Sequence, residues 1–211
     1  MTRSTITHFG LRLLAGATLI GISIGCEPAA PAPVQQATQL RARIETDKGA
    51  FTILLRPDLA PQSVANFCTL IESGYYHGKE VLNANNIARS FGSDRVAPSY
   101  ELPREHSAEL DFKTPGLIAW TFLNTLPGEA NKQPHPTRFF ITVAPQDPWH
   151  LEFVPFGTVQ DGMDVLLATR KGDWIKSARI EGDPSALYAT LAEERKRWIK
   201  ALDELETSGA G

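Results

Sequence analysis

Only two cysteines, Cys26 and Cys68, occur among 211 residues, so no disulfide framework holds this chain. Charge of one sign is also missing. With 21% charged residues and a net charge of −3, the sequence is neither a polybasic nucleic-acid binder nor an acidic disordered tail. No apolar run reaches the roughly 20 residues that a membrane-spanning helix needs. Sixteen glycines and fifteen prolines are too few and too scattered for a collagen-like or low-complexity chain. His77, His106, His135 and His150 lie apart, without metal-ligand spacing, and His135 in Gln133-Pro-His-Pro136 reads as loop. No Gly-rich phosphate loop, nucleophile elbow or basic-aromatic patch is present. What remains is one ordinary globular domain of about 100–200 residues with appendages.

Residues 1–25 contain Arg3 and Arg12 and no acid, and an uncharged apolar run from Leu13 to Ile24 follows. That order reads as a secretory signal peptide. The run ends at Ser23-Ile24-Gly25-Cys26, which resembles a bacterial lipobox, although Ser23 stands where leucine is usual. The resemblance implies a lipidated Cys26 and a membrane anchor, each acyl chain adding roughly 0.8 kcal/mol per buried methylene. Residues 26–41 are rich in Pro and Ala and read as an extended tether.

From Ala42 the texture changes. Arg43–Thr46 and Ala50–Leu55 flank Asp47-Lys48-Gly49, which predicts a hairpin. Asp58 and Pro61 precede Val64, Phe67, Cys68 and Ile71 at helical spacing, and Gly74 closes that run. Cys68 lies on the apolar stripe and reads as a buried, inert thiol. Short β-prone runs follow at 116–121, 138–143 and 153–159, then a short helix over 161–169 and a last strand over 175–180. Many short strands without strand–helix alternation point to a mainly β barrel or sandwich. Asp183 and Pro184 then start a helix running to Leu205, with Asp183 as its cap. Its narrow apolar stripe either packs on the domain or meets a partner over 184–206.

In this order the segments resemble a cyclophilin, a peptidyl-prolyl cis–trans isomerase. Thr46-Asp-Lys-Gly-Ala-Phe-Thr-Ile53 resembles the opening hairpin of bacterial cyclophilins. Ala60-Pro61, Val64, Asn66-Phe67, Leu70 and Gly74-Tyr-Tyr76 fit the first helix and its turn. Gly116-Leu-Ile-Ala-Trp120 resembles the central strand, and Arg138-Phe-Phe-Ile-Thr142 the Ser-Gln-Phe-Phe-Ile strand. Trp149 to Gly157 and Gly162-Met-Asp-Val165 fit the end of the pattern. The resemblance covers 42–182 and implies a closed eight-stranded antiparallel barrel capped by two helices. Residues 183–211 form an extra helix and tail.

The reaction it implies needs no nucleophile and no cofactor. A peptide bond rotates over about 18–20 kcal/mol because the nitrogen lone pair is shared with the carbonyl. Catalysis needs a donor that draws that lone pair out of resonance, an apolar pocket for the proline ring and hydrogen bonds to the flanking backbone. Cyclophilins supply the donor as an arginine in a Phe-His-Arg strand. Counted without gaps from Tyr76, those positions become Val81, Leu82 and Asn83. The later pocket phenylalanine becomes Ala88, and the glutamine that helps hold substrate becomes Phe91. The strand glutamine becomes Arg138, and the family's histidine falls at about Phe153. The Ala-Asn of the central strand becomes Thr121-Phe122. Phe140 and Trp149, with Leu151, keep their pocket-forming character. A neutral Asn83 gives a weaker hydrogen bond than a guanidinium; Arg89, on a shifted register, and Arg138 are the two candidate substitute donors, and otherwise both are surface charges.

Two functions from different classes stay open. One is an exported, lipid-anchored isomerase acting on proline-containing segments of envelope or secreted proteins, with slow turnover. The other is a proline-peptide binding module or holdase chaperone that has lost turnover. A structural envelope protein assembling through 184–206 is a third. The location expected in each case is the periplasmic side of a bacterial envelope, with no nucleic-acid partner.

Overall fold

A computed structural model describes residues 39–93, 96–123 and 132–208. The predicted signal peptide, Cys26 and most of the tether lie outside the described residues. Strands β1 (Arg41–Thr46) and β2 (Gly49–Leu55) form the expected hairpin about Asp47 and Lys48. Gly49 turns the chain at a φ of 129°, which a side chain would strain. Helix α1 (Pro61–Glu72) follows, then β3 (Val81–Ala84), β4 (Ala88–Phe91), β5 (Leu117–Phe122) and β6 (Pro134–Thr142). A 3₁₀ turn at Asp147–Trp149 leads to β7 (Val154–Asp161), α2 (Met163–Ala168) and β8 (Ile175–Glu181).

All eight strands pair antiparallel, in the order β3-β4-β6-β5-β7-β2-β1-β8. The sheet curls on itself, and its two edges meet only near the starts of β3 and β8. There Val81 donates its N–H to the Asp173 carbonyl (2.8 Å), Ile175 to Lys79 (2.9 Å), and Glu80 bridges Trp174. No β3–β8 ladder occurs among the described residues, so the expected closed barrel is a curled sheet joined at one end.

The concave side is filled by aliphatic and aromatic side chains around Phe67 of α1. Its ring lies 5.2 Å from Phe139 and from Phe156, 5.7 Å from Tyr76 and 6.0 Å from Trp120. Cys68 sits in the same core, and burial raises its thiol pKa. The first turn of α1 has no local cap at Ala60. Its orphan donors are met from a distance: the Glu105 carboxylate accepts the N–H groups of Gln62 (2.9 Å) and Ser63 (2.8 Å). This bond ties the 96–116 segment to the helix.

The predicted C-terminal helix is two helices, α3 (Ser185–Thr190) and α4 (Ala192–Thr207), broken at Leu191. The N-cap of α3 is Pro184, without a side-chain cap, and not Asp183 as expected; the Asp183 carboxylate, one residue earlier, accepts the Ser185 N–H (2.9 Å). The stripe of α4 is covered by the chain itself. Trp198, Ala201, Leu202 and Leu205 are buried, α4 packs on α1, and the Trp198 ring lies 6.0 Å from Tyr100. Arg195 adds bonds to Thr69 and Glu72 of α1 and stacks on Tyr188. Of the two readings of the stripe over 184–206, packing on the domain is the one that the buried face of α4 takes. No helix among the described residues is long and apolar enough to cross a membrane.

Candidate functional site

The convex side of the sheet at β4, β6 and β5 carries a second, separate apolar cluster: Ala88, Leu110, Phe112, Leu117, Ala119 and Phe140, with Leu59, Trp149 and Phe153 packed on it. Strand pleating explains why two clusters exist. Phe139 and Phe140 are neighbours on β6 and so project to opposite faces. Phe139 enters the concave core and Phe140 the convex patch.

A row of cross-strand partners crosses this patch. Asn83 pairs with Ser90, Ser90 with Phe140, and Phe140 with Ala119. Such partners share a face, so Asn83 stands in line with Phe140 two strands away, about 10 Å at the usual strand spacing. Asn83 is exposed. It faces the patch and offers a neutral amide there.

Phe140 itself is only 4% exposed. Trp149 meets it edge-on at 5.4 Å, Phe153 edge-on at 4.8 Å, and Phe112 lies nearly parallel at 6.3 Å. Phe122 stacks on Phe153 at 4.4 Å, with planes 12° apart. Ala88, Phe122, Phe140, Trp149 and Phe153 are thus brought together. Phe112 and Leu110 are members that the sequence reading missed. They come from an irregular segment with no periodic signal, and only the tertiary path lays them on the sheet.

Leu151 stands at the rim, 58% exposed, with a φ of 64°. It is the one non-glycine residue with positive φ among those described. Arg104 donates from Nη2 to the Leu151 (2.9 Å) and Glu152 (3.2 Å) carbonyls and so holds this turn.

Two placements correct the sequence reading. Phe91, expected at the substrate-holding glutamine position, is fully buried in the concave core and stacks on Phe139 at 5.0 Å. Phe91 pairs with Phe139, which faces the concave core, while its neighbour Ser90 pairs with Phe140. The convex-face position opposite Arg138 is Gly92, where an added Cβ would lie 3.1 Å from the Arg138 Cα. Arg89 is the second correction. It pairs with Ile141 and so projects to the concave side, away from Phe140. Its guanidinium donates to the carbonyls of Thr169 (3.0 Å), Leu167 (3.1 Å), Ala88 (3.2 Å) and Asn85. Burial, with Arg170 nearby, lowers its pKa from the usual arginine value. Arg89 fastens the C-terminal end of α2 to the β3–β4 hairpin.

Arg138 faces the other way. It shares the convex face with Phe140, two residues along β6, and it is half-buried. Its carbonyl accepts the Thr121 hydroxyl (3.3 Å), and its N–H goes to Nδ1 of His135 (3.1 Å). His135 is no loop residue. It lies in β6, 3% exposed, and its Nδ1 also accepts the Thr137 N–H (3.2 Å). Burial first, and then the Arg138 charge, push its pKa down to about 4. No group of three acids, histidines or cysteines placed to hold a metal occurs among the described residues.

An antiparallel eight-stranded curl, packed on α1 and bearing an aromatic patch on its convex face, is the architecture of the cyclophilins. The family model "Cyclophilin type peptidyl-prolyl cis-trans isomerase/CLD" matches residues 41–184, and the chain belongs to that family. A probable peptidyl-prolyl cis-trans isomerase of Brucella suis is 26% identical over 201 residues, covering 87% of this chain and 96% of its own. A peptidyl-prolyl cis-trans isomerase of Synechococcus elongatus is 28% identical over 155 residues, covering 68% and 97%. Among solved structures, a cyclophilin-type isomerase of Cryptosporidium parvum, crystallised in the presence of the dipeptide Ala-Pro, superposes with a TM-score of 0.58. It is 22% identical and covers 68% of this chain and 99% of its own. Peptidyl-prolyl isomerisation is the activity these relatives support.

Proposed function

We propose that this chain isomerises X-Pro bonds in exported proteins at the bacterial cell envelope, held there by a lipid on Cys26, and that it does so slowly. The convex patch around Phe140 takes the proline ring, as the Ala-Pro dipeptide named with the Cryptosporidium relative suggests by analogy. The observation that carries slow turnover is the row Asn83–Ser90–Phe140. It sets an uncharged amide where the chemistry calls for a cation, and neutral donors bond about half as strongly as charged ones. A second reading, a binding module or holdase without turnover, is favoured by the cover that Phe112, Trp149 and Phe153 put over Phe140.

Exchange spectroscopy on an Ala-Pro peptide, with the full chain in detergent micelles, separates the two. Acceleration of cis–trans exchange that Phe140→Ala abolishes is the expected result. Peptide shifts without acceleration favour the binding module, and neither effect removes the patch as the site. Expressed in a bacterium, the protein is expected in the membrane fraction, and Cys26→Ser in the soluble one; an unchanged distribution argues against the anchor.

A further inference from the structure

We propose that Arg138 makes the convex patch selective for proline segments that carry a side-chain carboxylate one or two residues from the proline. This inference rests on the reading of that patch as the peptide site.

Arg138 Nε is buried and has no hydrogen-bond partner among the described residues. Buried donors are nearly always paired, so an unpaired one marks a place where a partner is missing. The backbone groups of Arg138 are already satisfied by His135 and Thr121, so the deficit belongs to the guanidinium. Its stem runs past Gly92, where no side chain competes for the space and an added Cβ would come within 3.3 Å of its Cγ.

Several acids of the described segments bordering the patch are engaged elsewhere. Glu152 pairs with Lys132 (2.6 Å), Asp111 with Lys113 (2.9 Å), Asp58 and Glu109 with Arg56 (2.7 and 2.9 Å), and Glu105 caps α1. No carboxylate among the described residues pairs with Arg138. A planar guanidinium takes a carboxylate through two parallel bonds, its strongest pairing. Spacing then fixes where that carboxylate sits. Arg138 and Phe140 are two strand residues apart, about 7 Å. An extended peptide advances about 3.3–3.6 Å per residue. With its proline on Phe140, such a peptide carries the first or second neighbouring side chain to Arg138. Arg89 has no such role, because its guanidinium is engaged with carbonyls on the other face.

The test titrates the full chain in detergent micelles with acetylated, amidated hexapeptides containing one Ala-Pro. The residues one and two positions to either side are Glu, Gln or Lys in turn. A Glu peptide is expected to bind about fivefold more tightly than its Gln counterpart, as for a partly exposed ion pair. The Glu/Gln affinity ratio falls to about one in Arg138→Gln, and in the wild type when salt is raised from about 0.02 to 1 M. Arg138→Lys keeps part of the ratio and serves if the glutamine variant does not fold. Equal Glu and Gln affinities in the wild type, or a ratio untouched by Arg138→Gln, overturn the proposal while leaving the patch as the site. Binding of every peptide at equal strength before and after Phe140→Ala, or no binding at all, overturns the site and the proposal together.

Discussion

At the scale of single residues, opposite fates for two arginines follow from strand pleat. Arg89 pairs with Ile141, enters the concave side and bonds to carbonyls at the end of α2, while Arg138 shares the convex face with Phe140, two residues along β6. The donor position is therefore left to Asn83, which is exposed and aligned with Phe140. Returning a guanidinium there is expected to raise turnover. Asn83→Arg should increase kcat/KM on an Ala-Pro peptide at least tenfold, equivalent to about 1.4 kcal/mol of transition-state stabilisation. Exchange spectroscopy measures it, and an unchanged rate would mean that the row does not face the reacting bond.

At the scale of elements, α4 is bound to the domain and does not project from it. Trp198 is 3% exposed between Tyr100 and α1, and Arg195 ties α4 to Thr69 and Glu72. Trp198→Ala should lower the unfolding free energy by about 3–5 kcal/mol, the usual cost of emptying a buried aromatic site. Denaturant titration reads the loss as a lower midpoint. A change below about 1 kcal/mol would contradict the packing described. The peptide affinity of the patch should not follow, since α4 packs on α1 and lies outside the convex cluster.

At the scale of the whole molecule, stability should depend on pH through His135. Its imidazole is buried neutral and accepts two backbone N–H groups, so protonation removes an acceptor and places a charge beside Arg138. With a folded pKa of about 4 against 6.5 unfolded, the unfolded chain binds more protons between those values. The stabilisation is complete above about pH 6.5 and is lost as pH falls toward 4, by about 3 kcal/mol at most. The thermal midpoint should drop across that window in the wild type and flatten in His135→Asn, which keeps an acceptor and does not titrate. Equal slopes for the two proteins would place the titrating group elsewhere.

Composition and local pattern determined much of this protein. The hairpin about Asp47-Lys48-Gly49, the periodic stripe of α1, the helix start near Asp183 and Pro184 and the ordered segments of the cyclophilin pattern depend on neighbours within a few residues. Hydrophobic period and turn chemistry record such neighbours directly. Tertiary structure alone decided the rest. The pairing of β4 with β6 turns Phe91 inward and sets Gly92 against Arg138, because the side-chain period of a strand is two and register alone decides which face a residue takes. Phe112 and Leu110 reach the patch along an irregular path that carries no period. Whether the stripe of α4 met a partner or the domain depended on where α1 lay, since an amphipathic face specifies only that something apolar covers it. The register and the long-range path decided which residues of a legible fold look out at a ligand.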